Sequence, residues 1–346
     1  MQAVVKTSPY IRKATSTKRM MIDVLIALIP VVAFAVYKFQ LTFITRALVA
    51  VVIAVLAEAV CFALMKDKNE TLEERFKKYT VNNIVPPIIT ALIFVLTLPN
   101  RISFVVVVVG ILFAMVIGKM IFGGLGRNIF NPAGIGRAFV ALAFASLFAG
   151  TYDGIDAIAG ATALSGNFPD ILASYSLNDL FFGNIPGSMG EISALAIIIG
   201  GAYLLIRRAA DYRIIASALG VFALLMLVAG IGLGVESVLN YTLFHLLSGG
   251  LLFGVVFMAT DPITSPYTRQ GRLIYGAMIG ALVAIIRLFA ALPEGMVFAL
   301  VIANGFVPLI DYRKWSTNIY RPKFIIGYTA VILITAIIVF AGVGGF

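Results

Sequence analysis

The chain has 346 residues, 61% of them hydrophobic and 12% charged, with a mean hydropathy of +1.03. A soluble domain is roughly 45–50% apolar and about 25% charged, so this composition excludes a large soluble core and points to an all-α polytopic membrane protein. The net charge of +10 would suggest nucleic acid in a soluble chain. Here the Lys and Arg gather in short segments between apolar runs, where they set orientation in the membrane, and no nucleic-acid partner is expected.

The start is basic (Lys6, Arg12, Lys13, Lys18, Arg19) and runs into a full-length apolar span without a small-residue cleavage pattern, so no cleavable leader is expected. Spanning helices need roughly 17–25 apolar residues, fewer where protein shelters the backbone. Candidate spans lie near 20–38, 42–65, 84–98, 101–122 and 132–149, then, after a polar loop, near 192–206, 213–234, 240–260, 272–291, 295–311 and 323–344. That gives ten to eleven crossings. The expected organisation is a cytoplasmic segment 1–19, a first membrane half 20–149, an extracytoplasmic loop 150–191, a second half 192–311, and a connection with an extra helix over 312–346.

Orientation follows from the basic segments: the chain start, 66–80, Arg207 to Arg213, Arg269/Arg272 and 311–323. Placing these inside leaves 151–191, 233–239 and 291–295 outside, and none of the three contains Lys or Arg. Lys38 and Arg101 are exceptions near outer turns. The N-terminus is then cytoplasmic and the C-terminus extracytoplasmic. The mixed-charge 66–80 connection reads as a solvated face that can meet a neighbouring protein of a complex.

Polar residues inside spans are expensive and need a reason. Glu58, mid-span in Ala57-Glu58-Ala59, either serves an ion path or pairs with Arg137 or Arg287. Asp261, before Pro262, either lines a cavity or sits at the cytoplasmic interface, the latter being preferred. His245 reads as a buried, hydrogen-bonding histidine. With one Cys (Cys61) and one His in the chain, no intrachain disulfide, thiolate iron–sulfur or zinc centre, or bis-histidine haem can form. No metal site is expected.

Phe94-Val95-Leu96-Thr97-Leu98-Pro99 resembles Phe257-Met258-Ala259-Thr260-Asp261-Pro262. Each closes a short apolar helix, and five spans separate them, so the two five-helix halves would lie inverted, as in transport folds with broken helices.

The loop over 151–191 carries Asp153, Asp156, Asp170, Asp179 and Glu191 and no basic residue. Within it, Asp156 to Thr162 ends in Gly160-Ala161-Thr162, a hydroxyl with small neighbours. By local composition this is an ordinary Ala/Gly turn with an incidental threonine. Its flanks change that reading. Gly126-Arg127-Asn128-Ile129-Phe130-Asn131-Pro132-Ala133 leads to Gly136-Arg137 before it, and Gly187-Ser188-Met189-Gly190-Glu191-Ile192-Ser193 follows it. In this order the three stretches resemble the family of D subunits of the Rnf ion-translocating ferredoxin:NAD oxidoreductase. They also resemble the homologous B subunits of sodium-translocating NADH:quinone reductase. Ser16-Thr17 to Met20-Met21, Ala27-Leu28-Ile29-Pro30, and Asn304 to Tyr312 share the likeness, which covers about residues 8–322.

The resemblance implies FMN joined to Thr162 by a phosphoester, placed there by a dedicated flavin transferase from FAD, with Asp156, Gly160 and Ala161 completing the attachment motif. A non-covalent riboflavin is implied as well. The redox chemistry would be the cofactor's, with position and electrostatics from the protein. Partners would be iron–sulfur and flavin subunits of a membrane complex, with Na+ or H+ exported, and no residue of this chain would be catalytic alone. Two departures stand out: Ala159 where the family has Ser or Thr, and the span over 324–346. The short segment before the first span favours the Rnf type over the quinone-reductase type. A solute channel and a structural scaffold are the rivals, since an inverted repeat serves a channel equally well.

Overall fold

The computed structural model describes residues 16–65, 71–148, 176–185, 187–290, 295–312 and 315–344. Among them the regular structure is entirely helical. The first set comprises α1 (Thr17–Phe39), α2 (Leu41–Leu64), the short α3 (Leu72–Lys77), α4 (Val81–Leu96), α5 (Phe104–Val116), α6 (Pro132–Ala143) and the single turn α7 (Ala145–Phe148). After α8 (Leu177–Phe182), the second set comprises α9 (Ala194–Ile206), α10 (Tyr212–Gly232), α11 (Val238–Leu247), α12 (Leu251–Phe253, continued as a π-helix over Gly254–Met258), α13 (Arg269–Phe289), α14 (Met296–Ile310) and α15 (Pro322–Gly344).

Each expected span contains a helix, but they differ in reach. Six helical segments are long and apolar enough to cross a bilayer: α1, α2, Phe104–Phe122, α10, α13 and α15. A seventh results if α11 and α12, bent by 58° at Ser248-Gly249-Gly250, form one span. α4, α6, α9 and α14 are shorter apolar helices. Glycines, prolines and polar caps cut these four down: Asn131 caps α6 ahead of Pro132, and Ser193 caps α9.

Along α2 most of the buried positions are small and most of the exposed ones large, the reverse of a soluble bundle. On α2, Ala47, Ala50, Ala54 and Ala57 are buried, while Leu48, Val52, Leu56 and Val60 are exposed. Lipid is as apolar as leucine, so close backbone approach rather than burial of bulk selects the contact face. The α10–α13 pair shows the limit. A Cβ at Gly280 of α13 would stand 2.3 Å from the Ala218 carbonyl oxygen of α10, and one at Gly276 would stand 2.6 Å from that of Ile214.

Neighbours recur between the sets. In the first, α2 packs on α4 and α5, and α5 on α6; in the second, α10 packs on α11 and α13, and α13 on α14. The sets meet through α1 against α9 and α6 against α14. Gly200 makes the first of these joins possible, since a Cβ there would come within 2.3 Å of the Ala27 carbonyl oxygen.

Candidate functional site

The described motif residues converge on the end of α4. A helix that stops inside a membrane leaves carbonyls that lipid cannot satisfy. Here Thr97 Oγ1 donates to Phe94 O (2.7 Å), Gly190 N to Leu96 O (2.7 Å), Arg137 Nε to Thr97 O (2.8 Å) and Met189 N to Leu98 O (3.0 Å). Arg137 comes from the stretch before the polar loop, Met189 and Gly190 from the stretch after it. Glycine is required at 190, where a Cβ would meet the Leu96 side chain at 2.6 Å. Ser188 N donates to Glu191 Oε1 at 2.8 Å and closes the returning turn.

A second knot joins the two sets. Asn131 caps Gly134 N with its Oδ1 (3.0 Å), donates through Nδ2 to Met258 O at the end of the π-helix (3.3 Å), and donates its own N–H to Asn304 Oδ1 of α14 (3.0 Å). Asn304 in turn donates to Thr264 O (3.2 Å) and to the Tyr275 hydroxyl of α13 (2.7 Å). Both asparagines are buried. Asp311, seven residues further on, receives Tyr267 N (2.8 Å), Thr268 N (3.2 Å) and the Thr268 hydroxyl, and so fixes the start of α13.

Beside this knot lies a cavity of about 70 Å³, lined by Met20, Thr90, Lys119, Asn128, Phe257 and Asp261 among others. Asn128 is 6% exposed; its Nδ2 donates to Phe130 O (3.1 Å), but its Oδ1 has no partner. A buried carbonyl oxygen without a partner costs about 1–3 kcal/mol, a cost that a hydrogen-bond donor in the cavity would relieve. Gly123, Gly124 and Gly126, at φ of +104°, +86° and +89°, shape the turn that delivers Asn128.

Two expectations about charged groups are corrected. Glu58 pairs with neither Arg137 nor Arg287. Its partner is Lys119, 2.7 Å away, and each side chain is 2% exposed. Arg137 holds the end of α4, and Arg287 donates to His245 O (2.6 Å) and Ser248 O (3.1 Å), closing the break after α11. Asp261 lines the cavity, the reading ranked second from sequence, with Ile263 N donating to its Oδ1 at 3.2 Å and the Thr264 hydroxyl to its Oδ2 at 3.1 Å. His245 packs edge-on to Tyr241 and Phe244, and its buried Nδ1 has no hydrogen-bond partner, contrary to expectation. Lys38, an anomaly for a charge-based orientation, donates to Gly183 O and Ile185 O (3.2 Å) at the C-terminal end of α8, where a cation suits the helix dipole.

Sequence reasoning missed Lys119, masked by its position between an apolar run and a glycine-rich turn. It also missed the Asn131–Asn304 bond, which spans 173 positions. The attachment motif, Asp156, Gly160, Ala161 and Thr162 with Ala159, lies outside the described residues.

Broken helices, interlocked polar caps at their ends, and an apolar exterior define an integral membrane protein built around interrupted spans. Residues 4–319 match the model of the NQR2, RnfD, RnfE family, and the chain belongs to that family. Among its relatives is the B subunit of the Na(+)-translocating NADH-quinone reductase of Pseudomonas aeruginosa, strain LESB58, 42% identical over 243 residues, covering 67% of this chain and 60% of that protein. The proteins of the same name from Ectopseudomonas mendocina (40% over 262 residues; 73% and 64%) and Klebsiella pneumoniae (39% over 249 residues; 68% and 60%) are similar. The matches thus span about 60% of the length of these relatives.

Proposed function

We infer that the chain is the flavin-carrying membrane subunit of an ion-translocating redox complex, with FMN bound through Thr162. The observation that carries this reading is the convergence of the flanking motifs on one turn. Arg137 before the polar loop, and Met189 and Gly190 after it, all bond the carbonyls of residues 96–98. A loop whose two roots are locked to one helix end is a rigid base for a tethered cofactor. On this reading Gly160 and Ala161, as small neighbours of Thr162, would leave room for a flavin transferase, and Asp156 would help position the segment during transfer. Bound FMN supplies electron transfer; the chain supplies position and insulation.

The two helix sets are read as an inverted repeat, supported by their matching neighbours and by paired threonines. Thr97 Oγ1 turns back onto Phe94 O and Thr260 Oγ1 onto Val256 O (2.6 Å), at equivalent points of the two short helix ends. On this reading ten short and long segments cross the membrane in two halves and α15 adds an eleventh, with the polar loop and the C-terminus outside. The ion path runs by the cavity: Asp261 faces it directly, and Glu58 reaches it only through Lys119. The same cavity offers a riboflavin a donor-seeking oxygen on Asn128. Its space for water-sized occupants, about 70 Å³, suits waters or a bare cation better than a planar ring.

The relatives' names favour NADH as donor, quinone as acceptor and Na+ as cargo. The Rnf type, with ferredoxin and NAD, is the second reading and rests on the motif likeness. Partner subunits would carry the remaining flavin and iron–sulfur centres. Ion uptake by inverted vesicles of the assembled complex tests the whole. Uptake driven by NADH and quinone is expected in the natural protein and should be lost in Thr162→Val. Uptake that survives Thr162→Val unchanged would overturn the reading, and uptake driven only by reduced ferredoxin would select the Rnf type.

A further inference from the structure

α15 begins three residues beyond the family match, which ends at 319, and it is the least buried of the six long helices. Its second half is seated: Ala336, Val339 and Val343 are buried, and Phe340 and Phe289 close on Gly232 and Gly342. Its first half touches α10 through the Tyr328 hydroxyl, 2.8 Å from Ser217 Oγ, and stands away from α13. Between them lies a cavity of about 680 Å³.

The walls follow from helical spacing. α15 contributes Phe324, Tyr328, Val331 and Thr335, and α13 contributes Ile274, Met278 and Ala281. These positions recur every three or four residues, so each helix gives one face. From Phe324 to Thr335 the slot runs roughly 16 Å at 1.5 Å per residue, the depth of one leaflet of a hydrocarbon core about 30 Å thick. Its mouth holds Arg321, Lys323 and Trp315, and no Asp or Glu lines it. Neither basic side chain has an ion-pair partner among the described residues. Asp211, near Arg213 and its partner Tyr320, is held by two arginines, Arg213 and Arg272.

We propose that this slot binds an anionic diacyl phospholipid, its headgroup phosphate on Arg321 and Lys323 and an acyl chain between α13 and α15. The basic mouth and the apolar walls between α13 and α15 match a charged headgroup carrying alkyl chains. Basic pockets between membrane helices attract acidic headgroups, and the indole of Trp315 suits the interface. The lipid would fill the gap that keeps α15 from collapsing onto α13.

Trp315 is the only tryptophan in the chain and reports on the mouth directly. The full chain is placed in nanodiscs of zwitterionic lipid doped with phosphatidylglycerol or phosphatidylcholine brominated near the carboxyl end of the acyl chain. Brominated phosphatidylglycerol should quench Trp315 at a several-fold lower mole fraction than brominated phosphatidylcholine. In Arg321→Gln/Lys323→Gln the two curves should coincide. Gly327 also lines the slot, with no atom within 4 Å of a Cβ placed on it. Gly327→Phe should fill the slot and remove the preference while leaving both basic residues in place, which separates a seated lipid from general attraction to a charged surface. Coincident curves in the natural chain, as a zwitterionic lipid or a partner's helix would give, overturn the proposal. So does a preference that persists in either variant.

Discussion

Glu58 and Lys119 form a buried pair inside the first helix set, and its energetics decide how a variant there is read. Burying two charges costs as much as their attraction returns, but removing one partner leaves the other stranded at about 3–5 kcal/mol. Glu58→Gln should therefore lower the melting temperature of the purified chain, whatever the residue does for ions. Glu58→Leu with Lys119→Met should recover most of that loss, because both charges leave together. If the stable double variant still supports redox-driven ion uptake, Glu58 belongs to the scaffold and Asp261 is left as the acid on the path. If uptake is lost while the fold is kept, the pair lies on the path. The sequence marked Glu58 as costly but not its partner, because Lys119 follows Gly118 at the end of an apolar run and reads as an interface lysine. The two arginines put forward as its partners instead close helix breaks, a task invisible before the breaks themselves are placed.

At the scale of single elements, small residues and caps set what each helix tolerates. Gly280→Ala should destabilise the chain by about 1–3 kcal/mol, the usual cost of overpacking, because the atom 2.3 Å from the new Cβ is backbone and cannot rotate away. Gly220→Ala, on the partner helix α10, meets nothing within 4 Å and should be neutral or gain up to about 1 kcal/mol from helix propensity. Thermal unfolding in one detergent compares the two, and equal losses would contradict the packing account.

α8 offers a pH test. Ser176 Oγ and N donate to Asp179 Oδ2 at 2.7 and 3.0 Å, and these bonds hold the Asp179 carboxyl below its usual 3.8. A depressed carboxylate stabilises the fold above the unfolded value and loses that contribution as pH falls through the folded one. Hydrogen exchange of α8 should therefore accelerate only below about pH 3.8. In Asp179→Asn that pH step should be absent.

The elements were largely legible in the sequence, since apolar runs bounded by Ser, Asn, Gly and Pro fix where helices start and stop. Length was less so. Runs such as 132–149 and 240–260 read as single spans, yet the chain turns at Phe144 and at Ser248-Gly249-Gly250. A hydropathy window passes over two glycines that the backbone does not.

For the whole molecule, the chain is two helix sets with matching neighbours, joined by α1 on α9, α6 on α14, and the Asn131–Asn304 bond. The motif residues were legible as a pattern before their purpose was. Gly190 is there because Leu96 leaves no room for a Cβ, and Asn131 because three elements end around it. Neither reason can be read from a linear sequence, because each depends on contacts with residues far away along the chain. The cavity was legible only through Asp261, and the slot under α15 not at all, since a gap between helices leaves no mark on either one's periodicity.

The central claim is that this scaffold carries a covalent flavin on Thr162. Fluorescence of the denatured protein in a gel, after expression with and without a flavin transferase, tests it most directly. A fluorescent band that requires both the transferase and Thr162, and vanishes in Thr162→Val while the protein still inserts in the membrane, is the predicted result. No band under any condition would contradict the claim and point to Ala159 as the break in the motif. A band that persists in Thr162→Val would move the attachment to another hydroxyl, with Ser165 the first to test.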